Sequence, residues 1–598
     1  MYIPIIYQDE DIVVVNKPAG LPTHPDEESA GNFDVVSLVQ RQLKQDYLGV
    51  HHRLDREVSG LLVFARRKEA NAGLARSFEG RQVEKEYLAV VWGRPPQRAG
   101  VNNSPLIESG QGLWKVARPG EKGSKPATTR YRVEREIAGG YSLLRLGLET
   151  GRTHQLRLHL AQSGCPIVGD YIYGKNGVAS LPARPQKTNN SGSSARALPA
   201  GDGFPRLLLH AARLAFTHPV TGKPLSFDAD LPATFLKAHS GQMLPEIELA
   251  GSLRAASVSQ LKPKDKAGLA GLLALAAERR APLTDDPVQL TTAYRLVNGA
   301  GDALPGITLD RFGSTLILSC YDEALEQGHP ALKLVVEEIT RLWPDWSVYG
   351  RFRPRQLSNL YKTGAGSELR EVAPELPLAR QPRPEVNIVE NGLSYVIKPA
   401  EGISPGLFLD MREVRARLAN RVEGKTLLNC FSYTCAFGLV AAVNGAKRAL
   451  NLDAGRKVLD WGKQNYLANN LTPDDYDFVE GDVFDWLNRF ARREQRFDIV
   501  VLDPPSYSTV KKKRWSAEKN YAELTTLAAK VTAPGGLVLA CTNLAGLSRR
   551  SFRQMAITGV EAAGRKAQVE AYYHEPALDF PTAGNSEGYL KVLVLKLD

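Results

Sequence analysis

Cysteine is scarce: the 598-residue chain has five, an odd number, and its nearest pair, Cys430 and Cys435, lacks the CxxC spacing of zinc and redox sites. Five thiols spread this thinly make no disulfide framework, which argues against a stapled secreted domain and a structural metal, and for a reducing, cytoplasmic location. A basic leader is lacking too, because MYIPIIYQDED turns acidic before any long apolar segment begins. Long apolar runs are nearly absent. The one uncharged stretch of spanning length, residues 427–446 (LLNCFSYTCAFGLVAAVNGA), is interrupted by Asn, Ser, Thr and Gly. A buried strand, a glycine-containing turn and a buried helix account for it, so no membrane partner is expected.

What remains has the composition of a globular protein, 43% hydrophobic and 24% charged, long enough for about four domains. Lys and Arg exceed Asp and Glu by 76 to 65, a formal charge of +11, which suits a polyanionic partner although it is dilute over this length. Short β-rich runs (DIVVVNKP, GLLVFARR, KEYLAVVWG, YSLLRLGLE) predict an α+β domain with a mostly antiparallel sheet over residues 1–235. Residues 175–205, rich in Gly, Pro, Ser and Asn, read as a flexible surface insertion carrying Arg184, Lys187 and Arg196. Residues 236–288 read as a helical linker, a charged hinge (LKPKDK) followed by an Ala/Leu helix. A small α/β domain for RNA or substrate binding is expected at 289–385. From 386 to 598 apolar strands alternate with helices, the signature of a doubly wound, Rossmann-like α/β sheet. The fold class is therefore multidomain, an α+β domain followed by an α/β one with a small α/β domain before it.

In the first half chemistry is densest in HHRLDREVSG, residues 51–60, where Asp55 stands near Arg53 and Arg56 at the edge of a strand. Nearby guanidinium groups favour the carboxylate, though structural salt bridges would explain these residues alone. Their company is DIVVVNKPAGLPTHP, the KEY of residues 85–87, ETGRTHQLRLHL from Glu149, GCPIVGDYIYG and LLLHAARLAFTHP. In this order and spacing these segments resemble the RluA-like family of RNA pseudouridine synthases over nearly all of residues 1–235. The resemblance implies that Asp55 is the catalytic aspartate, Tyr87 the tyrosine stacked on the target base and Arg157 the partner that holds the aspartate. Arg53 and Arg56 are expected to contact RNA. Isomerising uridine to pseudouridine breaks an N-glycosidic bond and remakes it through C5, without cofactor or metal. A carboxylate adds to C1′ or removes the 2′ proton, and both routes stay open. The base must leave its stack, which an aromatic ring can accommodate. Val58 departs from the family, which usually has threonine or serine there, yet activity is expected to persist. His154 and His159 fit the motif and read as structural. No S4-type RNA-binding domain precedes these segments, so RNA affinity is expected from the catalytic domain, its insertion or the downstream half.

In the second half LLNCFSYTCAF places Phe431, Ser432 and Tyr433 in the turn after a first strand, and RALNLD ends a second strand in Asp453. In a doubly wound sheet that turn approaches the ligand and such an acid binds ribose hydroxyls. GxGxxG is lacking, with Cys435 where a glycine often stands, so S-adenosylmethionine is expected rather than a dinucleotide. Asp482 in VEGDVFDWL is expected beside the adenine. DIVVLDPPSYS puts Asp503, Pro504 and Pro505 at the end of a fourth strand, with Asp503 serving cofactor and catalysis and Tyr507 facing the crevice. Together with EGISPGLFLDMRE, residues 401–413, and AYRLVNGAGDALPGITLDRFG, this set resembles the class I methyltransferases that modify large-subunit ribosomal RNA, over about residues 286–598.

Cytosine-C5 members of that group carry a nucleophilic cysteine after the GG turn, because C5 is activated by covalent addition at C6. In APGGLVLACTNLAG that position falls on Asn543, and Cys541 lies two residues earlier on the same strand face. DPPSYSTVKKKRWS and the CTN triplet look more like the guanine-N7 members, which need only to position a nitrogen lone pair against the methyl donor. Guanine-N methylation is therefore expected, with cytosine C5 through Cys541 as the alternative. Lys511, Lys512, Lys513, Arg514 and Trp515, directly after the DPP turn, suit unpaired RNA. Arg351, Arg353 and Arg355 either extend that path or form a solvated face. The sequence thus describes a bifunctional enzyme of 23S ribosomal RNA with two independent sites. Its rivals are a half that has become an RNA-binding module in ribosome assembly, and a transfer RNA substrate for the synthase half.

Overall fold

Strand Ser59–Ala65 (SGLLVFA) is buried at every position, which sets it in the interior of a sheet rather than at an edge. The computed structural model describes residues 2–25, 34–110, 113–174, 204–253, 256–285, 290–322, 324–325, 328–352, 376–379, 384–399, 401, 404–510, 513–582 and 588–598. The first sheet has ten strands. Eight run in the spatial order Ile5–Gln8, Ile12–Lys17, Ser59–Ala65, Leu209–Thr217, Glu84–Trp92, Tyr141–Leu148, Thr129–Ile137, Ala99–Asn102, with Gly49–Val50 and Pro224–Asp228 paired beside them. Every pairing is antiparallel except that of Ser59–Ala65 with Leu209–Thr217. At that parallel contact Gly60 (φ +117°) lies so close to its neighbour that a Cβ would fall 2.2 Å from the Ala211 carbonyl oxygen, so the position admits only glycine.

The segment read as a hinged linker is not loose. Helices Ala233–Ser240, Pro245–Leu253 and Lys266–Thr284 bury Phe235, Leu249, Leu253, Leu269, Leu272 and Leu273 in a core shared with the first sheet and with the five-stranded sheet that follows. Lys266–Thr284 is apolar on nearly every side, and such a helix must be covered on every side. Its charged end turns inward. Glu278 pairs with Arg206 at 2.7 Å, Arg279 with Asp302 at 3.0 Å, and Arg280 grips Asp302 with both nitrogens at 2.7 Å while donating to the Asp579 carbonyl at 3.0 Å. Three consecutive side chains therefore tie the first sheet to the middle and C-terminal parts of the chain.

The middle sheet orders Ala293–Asn298, Ile307–Phe312, Thr315–Cys320, Ser347–Phe352 and Leu376–Ala379, with helix Pro330–Leu342 packed on it. In the last sheet the order is Phe478–Glu480, Arg448–Asp453, Thr426–Cys430, Phe497–Leu502, Thr532–Thr542, Lys591–Leu597, Ala567–Tyr573. Five neighbours pair in parallel and Lys591–Leu597 runs against both of its neighbours. Strand order reverses between Thr426–Cys430 and Phe497–Leu502, and the crevice at the carboxyl ends of strands at such a switch is where ligands bind in this architecture. Phe431 and Asp503 are the first residues past those two ends. No described helix is long and apolar enough to cross a membrane.

Candidate active sites

Lysine 17 shapes the loop that carries Asp55. Its buried ammonium donates to the carbonyls of Pro18, Leu21 and Arg56 at 3.0, 2.6 and 2.9 Å, and burial pulls it down to about 7. Thr23 braces Leu54 from both sides, its hydroxyl donating to the carbonyl at 2.8 Å and accepting from the amide at 3.1 Å. Asp55 is left half-buried in a groove of about 680 Å³ that Tyr87, Lys85, His52, His154 and Arg157 also line. Arg157 is 1% exposed and reaches Asp55 Oδ2 only through Nη1, at 3.6 Å. Its other two nitrogens grip Asp170, both at 2.8 Å. The expected partner of Asp55 is thus in place, but a second aspartate aims it. Burial opposes the Arg157 charge, yet Asp170 and Asp55 more than compensate, so it stays a cation. Asp170 in turn is held below the usual carboxylate range by Arg157 against its own burial.

Tyr87, on strand Glu84–Trp92, is buried, and burial together with the Asp55 charge raises its phenol so that it stays neutral. His154, read as structural, stands at the site: its Nε2 lies 3.8 Å from Asp55 Oδ2 and its Nδ1 2.9 Å from the Tyr173 hydroxyl. Burial holds the imidazole below its usual range although Asp55 pulls the other way. His159 has both ring nitrogens on internal partners, Thr129 and Ser104, each at 2.9 Å. Arg53 is exposed and donates to Thr153 at 3.3 Å, Arg56 is half-buried, and Val58 is buried where a hydroxyl was expected.

The second site is built on an unusual turn. Phe431, Tyr433 and Cys435 all have left-handed backbones (φ 58°, 47° and 63°) where glycine is the default. Asp453 stabilises it, accepting from the amides of Tyr433 and Gly455 at 2.9 Å with one oxygen each. Each oxygen keeps a further lone pair, so the carboxylate can still receive ribose hydroxyls. Burial raises it. Asp482 accepts from the Asp485 amide at 3.0 Å and so caps helix Val483–Arg492 beside the expected adenine position.

Asp503 is half-buried, no described residue hydrogen-bonds its carboxyl, and burial with the Asp410 charge pushes it up to about 7 against Arg415. Pro504 is buried behind it, and the Ser506 hydroxyl donates to Asn543. Tyr507, Lys513 and Arg514 lie on a hairpin of Tyr507–Val510 with Lys513–Ser516. Lys511 and Lys512 fall outside the described residues, as do Arg353, Arg355, Arg184, Lys187 and Arg196. Trp515, expected on the RNA path, is half-buried with its ring 6.4 Å from Phe431, against the cofactor turn. Arg351 is 4% exposed, so it belongs to the interior and not to a solvated basic face.

All five cysteines are buried. Cys541 is wholly inaccessible in a core with Val414, Phe437 and Val592, and burial with the Asp503 charge pushes its thiol well above the usual range.

The family model for RNA pseudouridylate synthase matches residues 11–162, and that for S-adenosylmethionine-dependent methyltransferase matches residues 294–593. Ribosomal RNA large subunit methyltransferase I of Shewanella frigidimarina (strain NCIMB 400) is 32% identical over 310 residues, 51% of this chain and 75% of the relative. The protein of that description from Shigella boydii serotype 18 is 33% identical over 303 residues, 50% of this chain and 73% of the relative. Among solved structures, SMU.776 in complex with SAH is 28% identical with a TM-score of 0.49, over 55% of this chain and 81% of its own. Human RNA Pseudouridylate Synthase Domain Containing 4 is 29% identical with a TM-score of 0.30, over 40% and 92%.

Two enzymes share the chain, a pseudouridylate synthase domain and a methyltransferase domain whose cofactor is S-adenosylmethionine. From residue 294 onward the chain belongs to the S-adenosylmethionine-dependent methyltransferase family. The residues present fit that cofactor: Asp453, at the end of its strand, receives the Tyr433 and Gly455 amides with one oxygen each and keeps lone pairs for the ribose.

Proposed function

We propose that the chain modifies 23S ribosomal RNA in the cytoplasm twice, isomerising a uridine in its first domain and methylating a guanine nitrogen in its second. For the first domain the supporting observation is the convergence of Asp55, Arg157 and Tyr87 in one groove. Asp55 is the reacting carboxylate, and Arg157, which Asp170 aims, faces it at 3.6 Å. It adds to C1′ or takes the 2′ proton, and in either case the N1–C1′ bond breaks. The freed uracil turns while held against Tyr87 and rejoins C1′ through C5, which then loses its proton. Lys85 lies in the same groove, and a guanidinium or ammonium there suits the phosphates flanking a flipped nucleotide.

For the second domain the burial of every cysteine carries the reading. Methylation at cytosine C5 needs a thiolate that can bond C6 of the docked base. Cys541 is wholly buried, and Asn543 and Ser506 stand at the rim instead. When bound, S-adenosylmethionine supplies an electrophilic methyl group. The chain has then only to orient a base nitrogen toward it and to accommodate the positive charge that arrives with the methyl. Guanine N7 carries a lone pair without prior deprotonation, so the transfer needs no base from the chain. Cys541→Ala is expected to keep methyl transfer within about threefold of wild type. A loss of roughly a thousandfold or more, with 5-methylcytidine as the wild-type product, would establish the cytosine mechanism instead.

A further inference from the structure

The histidine of THQLR reads as structural in the sequence, yet His154 lines the same groove as Asp55 and Tyr87 and brings one uncommitted nitrogen to it. Its other nitrogen is fixed. The Tyr173 hydroxyl lies 2.9 Å from His154 Nδ1, and the same oxygen accepts from the Trp114 amide at 3.2 Å. Tyr173 is 5% exposed, and among the described residues Nδ1 is the acceptor within reach of its hydroxyl hydrogen. A buried hydroxyl pairs its hydrogen, so Tyr173 donates to Nδ1 and the ring's own hydrogen sits on Nε2. Burial, with Arg157 beside it, keeps the imidazole neutral against the pull of Asp55, Asp170 and Glu57. Nε2 lies 3.8 Å from Asp55 Oδ2, too far for a hydrogen bond, so its N–H is free for a ligand. The residue is held there under strain, with a left-handed backbone (φ 56°) at the start of helix Gln155–Gln162.

Whichever way Asp55 acts, the N1–C1′ bond breaks with its electron pair passing to the base. Uracil therefore departs as an anion whose charge is shared by O2 and O4. Arg157 is turned to Asp170 and Asp55, and Tyr87 offers the base a ring rather than a charge. A neutral N–H beside the carboxylate meets the developing charge without neutralising Asp55, as an imidazolium would. Uracil is nearly symmetric about the line through N3 and C6, which exchanges N1 with C5 and O2 with O4. The turn that brings C5 to C1′ thus puts O4 where O2 was, and one fixed donor serves the base before and after. C5 then bonds C1′ with an electron pair of the base and releases its proton, and N1 gains one.

We infer that His154 is a catalytic residue of the isomerase, its Nε2–H donating to the uracil carbonyl next to the breaking bond, O2 in the substrate and O4 in the product, while Tyr173 fixes the tautomer. This rests on the isomerase reading above and assigns the group that carries the base through its turn.

The experiment uses the full chain and RNA oligonucleotides spanning the mapped pseudouridine site, with uridine or 5-fluorouridine at the target. It follows single-turnover loss of the N-linked nucleoside by chromatography and mass spectrometry. Fluorine makes the departing base a more stable anion, which needs the donor less. His154→Phe is expected to lose roughly 100-fold on uridine and less than about tenfold on 5-fluorouridine. Equal losses on the two nucleosides overturn the inference, because a merely structural role would slow both alike. If that variant loses methyl transfer as well, and so is misfolded, Tyr173→Phe decides. It keeps the histidine but frees its tautomer, and is expected to slow uridine more than 5-fluorouridine, whereas equal slowing overturns the inference. A wild-type chain that forms no pseudouridine refutes the isomerase reading itself, while pseudouridine with equal losses refutes only the role of His154.

Discussion

Asp55→Ala is expected to reduce pseudouridine formation below about one-thousandth of wild type, because in the proposed mechanism it removes the reacting group and not one contributor among several. The loop has its own supports, Lys17 on the Arg56 carbonyl and Thr23 on Leu54, so it should persist without the carboxyl. Arg157 keeps its two bonds to Asp170 and loses only the 3.6 Å contact. Stability should therefore be near wild type, and methyl transfer on the same protein should stay within about twofold. Counting pseudouridine and methylated guanosine from one reaction checks both halves of this expectation. Loss of both products would contradict two independent sites.

The second large effect falls far from either reaction. Arg280 is wholly buried, and besides its grip on Asp302 it donates to the carbonyls of Ala276, Arg295 and Asp579. Arg280→Met removes the guanidinium and leaves Asp302 with Arg279 and the Asn298 amide, while Asp579 keeps Arg412 at 2.8 Å. Burial already pushes Asp579 up to about 6 against Arg412 and Arg280. Breaking a buried ion pair from one side costs about 3–5 kcal/mol, and the surviving partners place this case near the lower figure. At a few degrees per kcal/mol the melting temperature should fall by about 6–12 °C. Because Glu278 and Arg279 on the same turn reach Arg206 and Asp302, both activities should become heat-sensitive together. Differential scanning calorimetry with residual-activity assays after heating measures this. A drop confined to one activity would mean that the helix Lys266–Thr284 does not join the halves.

The contrast between these two residues shows what was legible in the chain. Asp55, Tyr87 and Arg157 each stand in a short contiguous motif, and the fold gathers all three in one groove. Asp170 was not singled out, because nothing local distinguishes a carboxylate that receives an arginine fork from one that faces water. His154 looked structural because its distance from Asp55 depends on how a loop and the start of a helix 99 residues later pack together. Asp410 and Tyr589 are 179 residues apart and meet only in the fold.

Charge patterns misled most. GRFRPRQ read as an RNA path or a solvated face, but Arg351 is interior, as is Arg280 at the end of the connector helix. Hydropathy counts a buried arginine as polar whether or not an aspartate waits for it. The cofactor turn was legible in position but not in form, since a run of Phe, Ser, Tyr, Thr and Cys gives no sign that three of its residues take the backbone of glycine.

Two separate reactions on one RNA are tested by nucleoside mass spectrometry of unmodified 23S ribosomal RNA transcript incubated with the purified chain, with and without S-adenosylmethionine. Pseudouridine is expected in both reactions and methylguanosine only when the cofactor is present. Pseudouridine that depends on S-adenosylmethionine, or 5-methylcytidine in place of methylguanosine, would contradict that expectation.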